Sequence, residues 1–271
     1  MLRVAAVQAE AVVGDLAANL AAAVTWIERA AEREAELVVF PEAFTTGYDE
    51  ETFRNMHGAG ALPSADLAWC EPVRAAVDRA RVVVFLCTPL DHGTHRTLST
   101  VVFRPGHVPV AAYDKQHLDE TEQRLFTPGD HGTTVLVEDV NVAISICYDS
   151  SFPEHAADAA DNEEMGADLY VNSGAYFAGG ERRRDLHHAA RALDNGLYVV
   201  HAGLIGGPHA FIGGSAAFDP EGRVLQQLPA DIEGLVVVDV DRIRIAQVRV
   251  QQRMWLYRRS SLGQRRYLPG P

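Results

Sequence analysis

Short apolar runs alternate with longer helix-like segments along the whole chain, and this alternation restricts the fold more than any other feature. The runs at 2–7 and 37–40 are separated by an alanine-rich helical pattern over 15–36, which is typical of a strand–helix–strand unit. Elsewhere two runs follow each other across a turn, as they do around Pro105-Gly106-His107, which indicates a hairpin. Because both kinds of connection are present, the sequence predicts an α/β protein with mixed sheets. Two sheets packed face to face, with helices outside, would accommodate this many strands.

Further helices are predicted from their start and stop signals. Pro63-Ser64 precede a helical pattern over 65–81, Pro153 lies near the first turn of one over 152–165, and Gly196 closes one over 185–195. Proline is tolerated in the first turn because its missing N–H would have no partner there, and glycine is favoured just after the last turn.

The chain is predicted to be one domain followed by an arm. Its 271 residues, 47% of them hydrophobic, can bury one sizeable core, and no linker divides residues 1–241. Residues 242–271 are rich in arginine and glutamine, with interspersed aromatic side chains such as Trp255 and Tyr267. Such a composition suits an interface, so we expect an arm that lies on a partner subunit of a homo-oligomer. Packing on its own domain is the alternative.

The charge and the cysteine content argue against several classes of function. The formal net charge of −13 disfavours nucleic acid or an anionic membrane surface as the main partner. The three cysteines, Cys70, Cys87 and Cys147, show no CxxC or Cys/His spacing, so neither a disulfide framework nor a zinc site is indicated. No stretch approaches the ~20 apolar residues that cross a bilayer, and no signal peptide precedes the first strand-like run. We therefore expect a cytoplasmic protein, in which a thiol would stay reduced.

Three chemically complementary side chains follow the ends of three apolar runs. Glu42 follows the run at 37–40, Lys115 follows the run at 108–113, and Cys147 ends the run at 140–146. Taken singly, each has an ordinary interpretation: a loop carboxylate, a surface ammonium and a buried core thiol. Because loops at the carboxyl ends of strands converge on one crevice in an open α/β sheet, their joint placement predicts an acid/base/nucleophile set.

The order and spacing of several motifs resemble those of the nitrilase, or carbon–nitrogen hydrolase, superfamily. The motifs cover essentially the whole chain and are Val38-Val39-Phe40-Pro41-Glu42, Thr46-Gly47-Tyr48, Tyr113-Asp114-Lys115-Gln116-His117-Leu118, Phe126-Thr127-Pro128-Gly129-Asp130, Ile146-Cys147-Tyr148-Asp149, Phe152-Pro153-Glu154, Gly166-Ala167-Asp168, Ala190-Arg191-Ala192-Leu193-Asp194-Asn195 and Asp219-Pro220-Glu221-Gly222. Each motif alone is weak evidence for this family, and the resemblance depends on their combined order and spacing.

The resemblance implies a four-layer α-β-β-α sandwich of two mixed β-sheets with helices on the outer faces, assembled as homodimers or larger homo-oligomers. It also implies a catalytic set of Glu42, Lys115 and Cys147 that needs no metal or organic cofactor. Relatives commonly carry a second glutamate after the lysine. Glu120 and Glu122 both stand in that segment, and the spacing to the following Pro-Gly favours Glu122.

The implied chemistry is hydrolysis of a small amide. The thiolate of Cys147 attacks the amide carbonyl, after Glu42 has taken the thiol proton or while the thiolate is held as an ion pair near Lys115. The Lys115 ammonium and the backbone N–H of Tyr148 would form the oxyanion hole. Ammonia leaves, and water hydrolyses the acyl-thioester to a carboxylic acid.

The expected substrate is a small linear amide, as in aliphatic amidases. Ser151 stands where many relatives carry arginine, which weakens the case for an α-carboxylate on the substrate, although Arg182 to Arg184 could substitute from another loop; Asp194 stands where glutamate is usual. Nitrilase and N-carbamoyl amidohydrolase activities remain alternatives. The predicted substrate-binding residues are Tyr48, Tyr148, Asn172, Ser173, Tyr176 and Phe177.

Two further alternatives belong to different classes of protein. One is a catalytically silent binding protein with the same fold, which the presence of all three reactive residues disfavours. The other is a metal-dependent hydrolase that uses His187, His188, His201 and His209. Neighbours in sequence point to different sides of a helix, so the first two histidines are poorly placed to share one metal ion.

Overall fold

The structure is a computed structural model, and it describes residues 1–54, 62–161, 166–259 and 261–268. Within these residues the strands are β1 (Leu2–Glu10), β2 (Leu37–Val39), β3 (Val83–Asp91), β4 (Arg96–Phe103), β5 (Val110–Asp114), β6 (Thr134–Val137), β7 (Val140–Ile146), β8 (Leu169–Gly174), β9 (Tyr198–Gly206), β10 (Phe211–Ile212), β11 (Ala216–Phe218), β12 (Val224–Gln227) and β13 (Gly234–Val240). The α-helices are α1 (Leu16–Ala31), α2 (Glu50–Arg54), α3 (Glu71–Ala80), α4 (Pro153–Ala160), α5 (Glu181–Asn195) and α6 (Arg242–Gln252). Residues 162–165 of one predicted helix, and 260 and 269–271 of the predicted arm, lie outside the described residues.

Local signals set the two ends of α1. The Asp15 carboxylate accepts a hydrogen bond from Ala18 N at 2.9 Å, which caps the first turn. The helix ends at Ala31 rather than at residue 36, because Glu34 takes a left-handed φ of 60° and Ala35 N turns back to Ala30 O at 3.0 Å. The sequence prediction extended this helix too far because glutamate and alanine both favour helices and mask the turn.

Two other helices begin away from their predicted starts. Helix α3 begins at Glu71 and not near residue 65, since the Asp66 carboxylate accepts hydrogen bonds from Ser64 Oγ and Ala68 N and folds the preceding segment into a turn. Helix α5 begins earlier than predicted, at Glu181, and ends at Gly196 as predicted, with a left-handed φ of 57°.

The described strands form one continuous, curled, mixed sheet in the order β5-β4-β3-β2-β1-β9-β8-β7-β6. Strand β13 pairs antiparallel with β1, and β10 and β11 pair antiparallel with β9. Strand β1 links the two halves, because Val4–Ala6 pair with β2 whereas Ala9 and Glu10 pair with β9. The mixed α/β class is therefore confirmed, whereas the four-layer sandwich stays a prediction.

Buried apolar side chains form three clusters along this sheet. The first joins α1 and α3 to the half that contains β2 and β3. The second joins the inward side chains of β1, β2 and β13 to those of β7, β8 and β9. The third joins α4 and α5 to the opposite side of β8 and β9. These clusters fix the strand ends that carry the reactive side chains.

The first part of the predicted arm packs on its own domain. Asp241 caps α6 through Ile243 N, and Ile245 and Val248 of α6 are buried. Arg249 donates hydrogen bonds to the carbonyl oxygens of Gly196 and Ala167 at 3.1 and 2.7 Å. Residues 261–268, by contrast, are exposed. None of the described helices is both long enough and apolar enough to cross a membrane.

Candidate active site

The structure brings three of the predicted residues into direct contact. The Lys115 ammonium donates to Glu42 Oε1 at 2.7 Å and to Glu122 Oε1 at 2.6 Å, and all three side chains are buried. Glu122 is therefore the glutamate that reaches the lysine. Glu120, its competitor in the sequence, is 88% exposed and pairs with Arg124.

A close backbone approach holds the segment that carries Lys115. Gly129 N donates to Lys115 O at 2.9 Å, and a Cβ atom at position 129 would overlap the carbonyl group of Asp114. Only glycine fits this contact. The contact therefore explains why the Phe126–Asp130 motif has glycine at position 129.

The thiol of Cys147 lies beside the same charges. It is close enough to Glu42 for a hydrogen bond that lowers the pKa of that carboxyl, and the nearby Lys115 ammonium acts to lower the pKa of the thiol. It also lies 3.9 Å from the carbonyl oxygen of Ala175. Oε2 of Glu42 has no well-aligned hydrogen-bond partner among the described residues, so it is free to accept a proton. Cys147 is partly exposed, whereas Cys70 and Cys87 are buried.

The main chain at Cys147 is strained and held in place from several sides. Its φ is +41°, a conformation that costs a non-glycine residue free energy and persists only where the surroundings enforce it. The Cys147 carbonyl oxygen accepts hydrogen bonds from Ser150 Oγ at 2.9 Å, Asn172 Nδ2 at 3.3 Å and Tyr176 OH at 3.3 Å. Asn172 and Tyr176, predicted as pocket walls, thus support the turn that presents the thiol.

The charges determine the resting protonation states. Burial raises the pKa of Glu42 to about 7, an effect that the Lys115 ammonium opposes and the Glu122 carboxylate reinforces. Burial would lower the pKa of Lys115, but Glu42 and Glu122 outweigh it and raise that pKa well above its usual value. Burial and the neighbouring Glu42 raise the pKa of the Cys147 thiol. The resting site therefore holds an ammonium and a neutral thiol, and Glu42 can exchange a proton near neutral pH.

The other predicted pocket residues have different environments. Tyr48 is buried and donates to Glu122 Oε1 at 2.9 Å, and Phe177 is 46% exposed with its ring 6.2 Å from that of Tyr48. Ser173 is buried in β8. Tyr148 is 37% exposed and its ring packs edge-on against Phe152.

Sequence reasoning missed several residues around the site. Phe211 lies 5.7 Å from Tyr48 and 5.1 Å from Phe177, measured between ring centroids. The His209 ring packs edge-on against Phe177 and tilted against Phe211, although the sequence indicated it only as a possible metal ligand. Their segment follows a glycine pair in the sequence and carries no motif. Asp149 was noted only as part of a motif, although it is buried and accepts several hydrogen bonds.

Arg184 is not available as a clamp for a substrate carboxylate. Its guanidinium is buried and donates to the carbonyl oxygens of Gly213 and Ile212 at 2.8 and 3.4 Å. Arg182 and Arg183 lie in the exposed first turn of α5.

The four histidines of the metal hypothesis do not form a metal-binding group. His188 and His201 stack at 4.5 Å, and each bonds to Asn172 Oδ1 at 3.2 Å, while His209 lies 3.4 Å from Asp49. Across the described ranges, the group with ligand-like spacing is His117, Asp149 and His155. His117 Nδ1 bonds to Asp149 Oδ1, and Tyr113 OH bonds to both Asp149 Oδ2 and His155 Nε2, so each of the three side chains already has a hydrogen-bond partner.

A cavity of about 710 Å³ lies behind this histidine–aspartate group. It is lined by His117 and His155, together with Glu154 and Asp158 of α4 and residues of β6 and β7. None of Glu42, Lys115 and Cys147 lines it, so this cavity is distinct from the group of buried charges around Cys147.

Comparison with known proteins places the chain in a family. Residues 3–250 match the family model described as carbon-nitrogen hydrolase. An (R)-stereoselective amidase from a Pseudomonas species is 32% identical over 247 residues, which cover 86% of this chain and 84% of the relative. The human omega-amidase NIT2 is 27% identical over 257 residues, 90% of each chain.

Solved structures agree with this match. A mutant amidase from Nesterenkonia sp. AN1, in which acrylamide has added to the active-site cysteine, superposes with a TM-score of 0.80 at 25% identity and covers 94% of this chain and 100% of its own. A CN-hydrolase superfamily protein from Xanthomonas campestris, with an arsenic adduct in its active site, shares the fold at a TM-score of 0.83 and 22% identity, and covers 97% of this chain and 99% of its own. The chain therefore belongs to the carbon–nitrogen hydrolase family, the nitrilase superfamily, and is similar to its amidases.

Proposed function

We propose that this protein hydrolyses the carbon–nitrogen bond of small linear amides through an acyl-thioester on Cys147. The observation that carries the proposal is the buried Lys115 ammonium between Glu42 and Glu122, with a partly exposed thiol beside it. This set supplies a nucleophile, a base and a cation in one place, which are the groups that acyl transfer to a thiol requires.

Glu42 acts as the general base in this proposal. Because the pKa of the thiol is raised while that of Glu42 is about 7, a preformed thiolate is disfavoured and the proton moves to Glu42 as sulfur attacks the amide carbon. Glu42 then gives this proton to the leaving amine, and ammonia departs. In the second half-reaction Glu42 takes a proton from water, which attacks the thioester and releases the acid and the thiol.

Lys115 stabilises the negative charge that develops on the carbonyl oxygen. Its two carboxylate partners keep it protonated in a buried place. The backbone N–H of Tyr148 is the proposed second donor. One such donor is typically worth ~2.7–4 kcal/mol of transition-state stabilisation. Glu122 holds the ammonium in position and is itself fixed by Tyr48 OH and by Asp119 N, each at 2.9 Å.

Support for amides over nitriles and N-carbamoyl compounds comes from the relatives and from the site. The Pseudomonas and human relatives are amidases by name. Arg184, one of the arginines that could have clamped a substrate carboxylate, is bound to backbone carbonyls. The rings of Tyr48, Phe177 and Phe211 offer an apolar wall instead, so we propose an uncharged, apolar acyl group.

Mass spectrometry of the intact protein, incubated with matched amides, nitriles and N-carbamoyl compounds, tests the reaction. We expect an acyl adduct on Cys147 with amides, release of ammonia, and loss of both in Cys147→Ala without loss of the folded state. Cys70→Ala, which changes a buried cysteine with a thiol pKa raised by burial to about 11, should retain both. Turnover in Cys147→Ala would contradict the mechanism.

Replacement of Phe177 tests the acyl group. Because Phe177 is 46% exposed and can contribute only part of the ~1.5–3 kcal/mol of a fully buried ring, Phe177→Ala should raise KM several-fold for amides with larger apolar acyl groups. It should leave KM for acetamide nearly unchanged. Equal effects on both substrates would assign Phe177 to another role.

Two further proposals concern the assembly of subunits and the arrangement of the sheet and helices in layers. We propose that the segment beyond α6 contributes to a homo-oligomer, which the exposure of Leu262, Tyr267 and Leu268 supports. We also propose that the curled sheet forms the two inner layers of an α-β-β-α sandwich. The three apolar clusters, one on each helical side and one between the two halves of the sheet, support that arrangement.

A further inference from the structure

We propose that Asp149 is a positioning residue that sets the distance between Lys115 and Cys147. This inference rests on the proposed function, since it concerns the geometry of the same reaction. It starts from the fact that Asp149 is fully buried, and a buried carboxylate needs several donors to stay charged.

The donors to Asp149 come from both of the elements that present the reactive groups. Oδ2 accepts from Ile146 N at 2.9 Å, directly before Cys147, and from Tyr113 OH at 2.6 Å. Oδ1 accepts from His117 N and His117 Nδ1, both at 2.9 Å. Tyr113 and His117 stand two residues before and two residues after Lys115. One carboxylate therefore links the segment of the lysine to the turn of the cysteine.

This link acts on the strained turn of Cys147. Its φ of +41° has to be enforced by neighbouring contacts. Asp149 fixes the N–H before the cysteine, while Ser150, Asn172 and Tyr176 fix the carbonyl group after it. Without Asp149 the turn would be held on one side only.

The hydrogen bonds of three neighbouring side chains, Tyr113, His155 and Tyr170, determine which atoms near Asp149 carry a proton. Tyr113 OH donates to Asp149 and thus accepts from His155 Nε2 at 2.9 Å, and Tyr170 OH donates to His155 Nδ1 at 2.9 Å. With Tyr170 OH as the donor, His155 Nδ1 is an unprotonated acceptor and the imidazole is neutral, a state that burial favours because it lowers the pKa of His155. The hydrogen bonds from His117 and Tyr113 hold the pKa of Asp149 below its usual value despite burial.

Asparagine at position 149 would break this link while keeping the size of the side chain. Each carboxylate oxygen accepts from a backbone N–H, one from Ile146 and one from His117. An amide has only one acceptor oxygen, so in either orientation its NH₂ group faces one of these backbone donors. The main chain must shift on one side of the site.

The test compares Asp149→Asn with Asp168→Asn. Asp168 is also buried and accepts from a backbone N–H, that of Asn141 at 3.1 Å, but it lies at the opposite end of β7 and β8. We expect both variants to lose stability, and only Asp149→Asn to lose about 100-fold in kcat and in the single-turnover rate of Cys147 acylation, because misplacement by about 1 Å can cost this much. KM should change far less than kcat.

The proposal is overturned if folded Asp149→Asn acylates no more slowly than Asp168→Asn. If Asp149→Asn does not fold, Tyr113→Phe decides: it removes one donor, and we expect about a tenfold loss of kcat, whereas an unchanged kcat would overturn the proposal. Acylation of Cys147 in the wild-type protein is measured in parallel. Its absence would reject the proposed function itself, a result distinct from fast acylation in the variant.

Discussion

The proposed chemistry depends on the interaction of three buried side chains, Lys115, Glu42 and Glu122. Lys115 lies within 2.7 Å of both Glu42 and Glu122, so two carboxylates oppose the desolvation that would otherwise discharge it. The two glutamates are not equivalent. Glu122 has Tyr48 and Asp119 as further donors, whereas Glu42 Oε2 has no well-aligned partner within the described part of the chain. Glu42 is therefore the carboxylate that can accept a proton.

The pH profile of the reaction should report the pKa of Glu42. A base must be ionised to act, so kcat/KM should rise as the pH increases through about 7, the value to which burial raises the pKa of Glu42. Because the negative charge of Glu122 contributes to that rise, Glu122→Gln should move the acidic limb to lower pH. Glu120→Gln, a change at an exposed glutamate, is the matched control and should leave the limb in place. An acidic limb that stays fixed in Glu122→Gln would show that another group controls it.

The carboxyl ends of strands β5 and β7 position Lys115 and Cys147, and contacts with neighbouring loops hold those ends in place. The carboxyl end of β5 is clamped between β4 and the segment at Gly129, since Lys115 N donates to Leu98 O at 2.7 Å and Gly129 N donates to Lys115 O. The carboxyl end of β7 leads directly into the strained turn at Cys147. Helices α4 and α5 pack behind that turn, and Arg191 of α5 donates to Ser150 O at 2.9 Å.

Gly129→Ala tests the clamp on β5. The added methyl group would overlap the carbonyl group of Asp114, so we expect a loss of about 1–3 kcal/mol in the free energy of unfolding and at least a tenfold loss of kcat as Lys115 shifts. Gly132→Ala is the control in the same loop, because the nearest atom to its methyl group is 3.9 Å away. Chemical denaturation and steady-state kinetics measure the two effects. An unaltered kcat in a destabilised Gly129→Ala would show that the clamp does not position the lysine.

At the scale of the whole molecule, the chain beyond β13 has two parts with different surroundings. Helix α6 covers its own domain through Ile245, Val248 and Arg249. The exposed segment after it presents apolar side chains to solvent, and such surface favours association with another molecule.

Truncation separates these two parts. Deletion of residues 259–271 should dissociate the proposed oligomer, so that sedimentation velocity gives a lower molecular mass. The free energy of unfolding of the protomer should stay nearly unchanged. Deletion from residue 242 should also destabilise the protomer, because it uncovers the surface under Ile245 and Val248. An oligomer that survives the first deletion would contradict the proposed role of the segment.

Much of this molecule followed from the sequence because local patterns determine it. Apolar runs gave the strands, Gly196 ended α5, and motif order indicated the family and named Glu42, Lys115, Glu122 and Cys147. The limits of α1 and α3 were misjudged because a left-handed turn at Glu34 and a carboxylate turn at Asp66 override helix propensity.

Other features of the molecule depend on contacts between distant segments and could not be read from local sequence patterns. The tertiary structure joined the two halves of the sheet through β1, buried Glu122 while leaving Glu120 in solvent, and bound Arg184 to the backbone. It also raised the pKa of Glu42 to about 7 and bound Asp149 to the backbone of both His117 and Ile146, which stand near Lys115 and Cys147 in the chain. The physical reason is that residue type and spacing specify which groups are available, whereas desolvation, charge coupling and hydrogen-bond partners arise only when distant segments pack together.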